Sequence, residues 1–360
     1  MRIVYGVQST GKGHLSRFLG LMPFFVRDRH ELLVIASGYE TPPPYFYRAL
    51  EQAGHRWVRC RGMSYVTDGA GSISKRRTVL AFLKNLPRFL DEFGRVQELI
   101  TGFGPDLIVT DFEPVCACPL LAPAICKVGL SNQNVLMDPA AYHPGGLPLE
   151  KLFTYAVVHL FTDGATHRLG CHFYPVSDRC LPPIIREAIL DARVENRGHM
   201  LVYHTLAGML GEVERYAASH PDRRIIVYGY QGRADSGNMH FEHDPSKFPQ
   251  DLASADVFVG TAGFQSISEA FYLGKKIAVR PVTGQYEQTW NAAQLEHYSM
   301  GCWYGRDPDA GRRRTRGAGP RTLEEAVDHP FNAALHARLA PWFRDGARMC
   351  YEGLIGLAGR

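Results

Sequence analysis

Two stretches of this chain hold residue types at spacings that could do chemistry. The first lies in its last third. Residues 256–259, Asp-Val-Phe-Val, form a short apolar run that reads as a buried strand. It ends in a turn of small residues, Gly260, Thr261, Ala262 and Gly263. Helical spacing then starts at Gln265, with Ile267, Ala270 and Phe271 on one face. A strand that opens through glycines into a helix leaves backbone N–H groups aimed at one point, and that point favours an anion such as a phosphate. Glu269, farther along the same helix, stands where it could reach a sugar hydroxyl. A second strand over 277–279 stops at Pro281, and the polar loop after it carries Gln285, Glu287, Gln288 and Asn291.

The second stretch runs from Gly6 to His14, between the first strand and the first helix. Gly6, Gly11 and Lys12 fit the spacing of a phosphate loop, but Gly13 stands where that motif needs Ser or Thr for magnesium. The other reading takes Gly11, Lys12 and Gly13 as a loop that lets a substrate approach the backbone closely. His14 then opens the helix. An imidazole suits removal of a proton from a hydroxyl or an amine. Such a base needs an orienting group on its far nitrogen. Asp111 ends the apolar run 106–110, at the same edge of the sheet as the loop of His14, where open α/β sheets bind ligands. Glu113 is the substitute partner, or the base itself.

These residues need elements to position them. Apolar strand runs and helical spacings alternate, which implies an α/β protein with parallel sheets. Strands are expected at 2–7, 31–36, 57–59, 106–110, 127–130 and 171–174, and helices at 14–25, 78–101 and 147–161, with Pro87 as a kink or break. Prolines and polar residues over 175–198 interrupt the pattern. A new α/β set then begins with strands at 200–203 and 224–228, and residues 331–357 read as helical. Residues 307–321 are rich in Arg and Gly and read as an insertion.

The bulk properties exclude several classes. The chain has 360 residues, enough for two domains, with 45% hydrophobic and 21% charged residues. A net charge of +4 is too mild to argue for nucleic acid. The eight cysteines lack zinc-site spacing, and Cys116-Ala117-Cys118 has one residue where such sites use two or more. Free thiols in a reducing cytoplasm are the expectation. No signal peptide is read at Met1, and no apolar run has the length of a membrane span.

Residues 250–300, with the glycine turn, Glu269 and the Glu287-Gln288-x-x-Asn291-Ala292 run in that order, resemble the donor-binding segment of GT-B glycosyltransferases. The likeness is greatest to the family-28-like group that includes the peptidoglycan N-acetylglucosaminyltransferase. It is looser over the rest of the C-terminal half and at the N-terminus. It implies two Rossmann-like domains facing across a cleft: residues 1–180 for the acceptor, a linker over 181–198, residues 199–335 for the sugar nucleotide, and residues 336–360 packing back on the first domain.

The resemblance places the donor pyrophosphate on Thr261, Ala262, Gly263, Phe264 and Gln265, and the ribose on Glu269. It places the sugar near Glu287, Gln288 and Asn291, and a phosphate oxygen near His204 or Thr205. It pairs His14 with Asp111, since a first-loop His and an Asp about a hundred residues on recur in this fold. The implied activity is inverting transfer from a UDP-sugar, or a dTDP-sugar, to a small-molecule acceptor without a metal. A sugar-nucleotide 2-epimerase and a non-catalytic sugar-nucleotide-binding protein are the alternatives. Lipid-linked acceptors come with an exposed apolar patch and a basic rim. None is evident in the sequence, so a soluble acceptor is the expectation. The aromatic and proline-rich residues 39–47 read equally as an acceptor wall and as a surface loop.

Overall fold

The protein is described by a computed structural model over residues 1–9, 12–38, 42–62, 66, 74–204, 207–305 and 322–358. Gly11, Thr205, residues 39–41 of the aromatic stretch and the Arg-rich residues 307–321 lie outside the described residues.

The first domain runs β1 (Arg2–Gln8), α1 (Lys12–Arg27), β2 (Glu31–Ser37), α2 (Pro44–Gln52), β3 (Arg56–Cys60), α3 (Lys75–Phe103), β4 (Leu107–Asp111) and α4 (Pro114–Ala117). It continues with β5 (Lys127–Ser131), α5 (Gln133–Leu136), α6 (Pro148–Thr162), β6 (His167–Cys171) and β7 (Cys180–Leu181), and the short α7 (Glu187–Leu190) lies in the linker. The second domain runs β8 (His199–Tyr203), α8 (Ala207–Ser219), β9 (Ile225–Tyr228), β10 (Met239–Phe241), α9 (Phe248–Ser254), β11 (Ala255–Gly260) and α10 (Phe264–Tyr272). It closes with β12 (Lys276–Val279), α11 (Tyr286–His297), β13 (Cys302–Trp303), α12 (Leu323–Val327), α13 (Ala333–Arg344) and α14 (Gly346–Leu357).

The strands form a seven-stranded sheet in the order β3-β2-β1-β4-β5-β6-β7 and a six-stranded sheet in the order β10-β9-β8-β11-β12-β13. Every strand pair described in the two sheets is parallel. Parallel sheets are covered by helices on both faces, so their central strands are apolar throughout; β1 and β2 are buried at six of seven positions each. In the first sheet the strand order reverses at β1 and β4, and this switch point brings His14 and Asp111 to one edge.

Three local expectations are corrected. Pro87 neither breaks nor ends α3, which continues for 29 residues. Pro87 and Leu83 both face solvent, where the carbonyl that the proline leaves unbonded can be hydrated. The strand expected at 171–174 is β6, four residues earlier, and only Cys171 is shared. The segment that returns to the first domain is α14 alone. It packs on α1, β6 and β7, whereas α13 stays with the second domain, its His336 hydrogen-bonded to the Tyr272 carbonyl at 2.9 Å.

An apolar surface that the sequence reading did not find lies on α3 and α6. Only Val96, Ile100 and Phe103, in the last turns of α3, are buried. Its earlier turns leave Leu80, Leu83 and Leu90 more than half exposed, and α6 leaves Leu149 and Leu152 still more so.

Candidate functional site

The His14–Asp111 pair of the first domain is assembled by α1 and β4. His14 sits in the first turn of α1, and Asp111 is the last residue of β4. The His14 Nδ1 lies 2.7 Å from the Asp111 Oδ1. An ionised carboxylate can only accept, so Nδ1 carries the hydrogen, and in the neutral tautomer that this bond selects the lone pair is on Nε2. Asp111 is fully buried, while His14 keeps 14% of its side chain exposed. The His14 ring lies parallel to Phe112 at 6.0 Å.

Arg17 completes the group. It follows His14 by one turn on the same helix face, and its Nη1 donates to the same Asp111 Oδ1 at 2.9 Å. Burial opposes the Arg17 charge, but Asp111 beside it holds the guanidinium above its usual range. A buried carboxylate needs such a partner. Glu113 is placed elsewhere. Both its oxygens accept from the first turn of α4, at 2.9 Å from the Val115 N–H and 2.6 Å from the Cys116 N–H. Burial pushes its carboxyl up and those donors pull it down, with burial ahead. Glu113 caps a helix rather than orienting His14. Gly6 belongs to the same packing: it lies inside β1, and a Cβ there would meet the Cys116 Sγ at 2.7 Å. That contact explains Gly6 without any phosphate loop.

The glycine turn before α10 faces this group. No side chain caps the N-terminus of α10. Its first turn packs on the first domain, where a Cβ at Gly13 would lie 3.7 Å from the Gln265 Cβ and the Arg17 guanidinium stands 5.6 Å from the centre of the Phe264 ring. Thr261 and Gly263 are partly exposed, whereas Ala262, Phe264 and Gln265 are buried. Lys12 is exposed at the start of α1.

Glu269, expected to hold a ribose, is 1% exposed and already occupied. Its two oxygens accept from Arg186 Nε and Nη2, both at 2.6 Å, and from Gln265 Nε2 at 2.9 Å. Gln265 also donates to the Ile184 carbonyl at 2.9 Å. Side chains of α10 therefore clamp the linker, with Glu269, expected at the ribose, paired to Arg186 and Gln265 in this conformation.

Of the three residues expected around the sugar, Glu287 and Asn291 bond to the first domain. Glu287 accepts from the Gln133 amide across the domain boundary at 2.9 Å. Asn291 donates to the Ala262 carbonyl at 3.0 Å and accepts from Asn132 at 3.2 Å, fixing the glycine turn to the first domain. Gln288, in the first turn of α11, accepts from the Val282 N–H of the preceding loop at 2.9 Å. Phe112, Gln133, Phe153, Val158, Tyr286 and Glu287 line the space between α6 and α11, a cavity of about 20 Å³. His204 is buried at the end of β8, its Nε2 3.4 Å from the Tyr304 hydroxyl. Burial, with Arg280 nearby, depresses its pKa to about 4, so it is a neutral ring rather than a cation for phosphate.

Sequence reasoning missed Arg17, Arg186, Asn132, Gln133 and His172. Arg17 had a signal, its one-turn spacing from His14. The others pair across long stretches of chain, which spacing does not reveal. Buried His172 lies against Phe173, Phe264 and Trp290, with ring centres 4.0, 6.3 and 5.0 Å away.

By sequence, no curated protein matches the chain. Solved structures do match its fold. The glycotransferase of kitacinnamycin aligns with a TM-score of 0.64 at 15% identity, covering 99% of each chain. CalG4, the calicheamicin glycosyltransferase, aligns at 0.63 and 16%, covering 100% of this chain and 99% of that one. LpCGTa, solved in complex with UDP, aligns at 0.62 and 14%, again covering 100% and 99%. The family model for "Glycosyl transferase family 1" matches residues 1–312. With both sheets and the returning α14 in place around that match, the chain belongs to glycosyl transferase family 1 and is a glycosyltransferase of GT-B fold.

Proposed function

We propose that this glycosyltransferase moves a sugar from a nucleoside-diphosphate sugar, with UDP first and dTDP second, to an acceptor hydroxyl or amine, with inversion and without a metal. The observation that carries the reading is the 2.7 Å hydrogen bond between His14 and Asp111, opposite the uncapped α10 N-terminus. His14 Nε2 takes the acceptor proton. The acceptor oxygen or nitrogen bonds to the anomeric carbon, and the bond from that carbon to the diphosphate oxygen breaks. The proton stays on His14 and the electron pair leaves with the nucleoside diphosphate. The N–H groups of the α10 first turn, together with the helix dipole, stabilise the departing charge.

Several contacts from the family-28-like resemblance enter this proposal in altered form. Thr261, Ala262, Gly263, Phe264 and Gln265 offer backbone N–H groups to the pyrophosphate. Glu287 and Gln288 stand at the cleft, where a sugar would lie. Asn291 holds the turn in shape. Glu269 belongs to the linker clamp and is not assigned a ribose contact.

Calorimetric titration with UDP, dTDP, GDP and ADP, with and without EDTA, tests the donor side. The expected outcome is binding of UDP or dTDP that EDTA leaves unchanged, and turnover that persists in EDTA. Binding of ADP or GDP that needs magnesium would refute it.

A further inference from the structure

The first turns of α3 are unusual for a helix in a folded domain. Val79, Leu83, Leu86 and Leu90 recur at helical spacing and are all exposed, with Leu80 beside them. Contiguous exposed apolar surface of this kind marks an interaction site rather than ordinary scatter. The charge pattern on the same turns is one-sided. Residues 75–90 hold Lys75, Arg76, Arg77, Lys84 and Arg88 and no acidic residue. The N-terminus of α6 extends the surface. The Lys75 Nζ lies 3.5 Å from Glu150 and 6.0 Å from the Phe153 ring centre, so the start of α3 meets the first turns of α6, where Leu149 and Leu152 are exposed.

We propose that this α3–α6 face seats the first domain on an anionic lipid surface. Leucines at the water boundary with cations around them match the two forces that hold an amphipathic helix at a bilayer: burial of apolar side chains and attraction to anionic headgroups. A second copy of this chain is the poorer occupant, since a symmetric contact would bring the exposed Arg76, Lys84 and Arg88 of one copy toward those of the other. The attachment is peripheral, because no helix among the described residues is long and apolar enough to cross a membrane. Phe153 of α6 also lines the small cavity between α6 and α11 together with Phe112, whose ring lies parallel to His14.

Co-sedimentation of the full chain with vesicles tests the docking independently of the sugar chemistry. Vesicles of phosphatidylcholine with roughly one phosphatidylglycerol in four should retain the protein about tenfold better than phosphatidylcholine alone, and high salt should release it. Arg76→Glu with Lys84→Glu, and separately Leu80→Ser with Leu83→Ser, should each lower retention about tenfold. All four positions are exposed, and circular dichroism and UDP titration would establish that the variants remain folded. Retention that ignores lipid charge, or none on either vesicle, overturns the proposal. So does a dimer seen by light scattering that the leucine variant dissolves while no vesicle binds. An unchanged UDP affinity beside failed sedimentation would sink the docking and leave the donor reading intact. Sedimentation without UDP binding would do the reverse.

Discussion

At the scale of single residues, His14, Asp111 and Arg17 form one bonded group. In the proposed mechanism His14 moves the proton, Asp111 orients its ring, and Arg17 holds Asp111. Replacing His14 by Ala should lower turnover by about a hundredfold or more while UDP affinity holds, which steady-state kinetics beside calorimetry would check. Arg17→Met should act through kcat rather than the donor KM, since Arg17 stands behind Asp111, and Arg17→Lys should restore part of the loss. A changed donor KM with an unchanged kcat would remove Arg17 from this chain of contacts. The pairing of His14 with Asp111 was legible because both residues end up at one sheet edge, and strand ends can be read from apolar runs. Arg17 was legible in principle and overlooked. The fate of Glu269 was not legible: its neighbour Arg186 lies in a linker without periodic pattern, and nothing in local spacing signals a contact 83 residues away.

At the scale of elements, α10 holds two roles at opposite ends of its first turns. Its N-terminus opens toward the first domain, and its side chains Gln265 and Glu269 hold the linker through the Ile184 carbonyl and Arg186. The pair is largely buried, so removing one partner strands the other; Glu269→Ala should cost about 3 kcal/mol of stability. Thermal unfolding would read this directly, and Arg186→Met should lose a similar amount. A lowered UDP affinity with unchanged stability would instead return Glu269 to the ribose. Most elements were legible from their apolar periods, because parallel strands buried on both faces are continuous apolar runs. Pro87 misled for a physical reason: a proline on the solvent face of a long helix costs one hydrogen bond that water replaces. The exposed leucines of α3 were invisible in sequence, since apolar helical spacing there looks the same whether or not another element covers it.

At the scale of the whole molecule, the domains are joined by aromatic and amide contacts as well as by the linker. Tyr174 stacks on Tyr298 at 3.6 Å and Tyr142 on His297 at 4.0 Å, while the Trp290 Nε1 donates to the Tyr142 carbonyl at 2.9 Å. His172 lies within this joint, and burial holds its pKa down to about 3, as it holds His204 near 4. Above the ordinary imidazole pKa both rings are neutral in the folded and unfolded chain, and they add no pH dependence. As pH falls below about 6.5 the unfolded rings take up protons that the folded ones refuse, so stability drains by about 1.4 kcal/mol per pH unit for each histidine. Melting temperature should therefore drop steeply from pH 6 toward pH 4, and His172→Phe should flatten that slope; parallel slopes would show that other groups govern the acid limb. The return of α14 has a further consequence for how the molecule is made. Tyr351 of that helix bonds Asp28 and His30 of the first domain, at 2.5 and 2.8 Å, and Leu354 is fully buried. During synthesis the first domain emerges first and finishes last: its groove on α1 and β6 stays open on the ribosome until the second domain has been translated, so a chaperone has the whole of that interval in which to hold it.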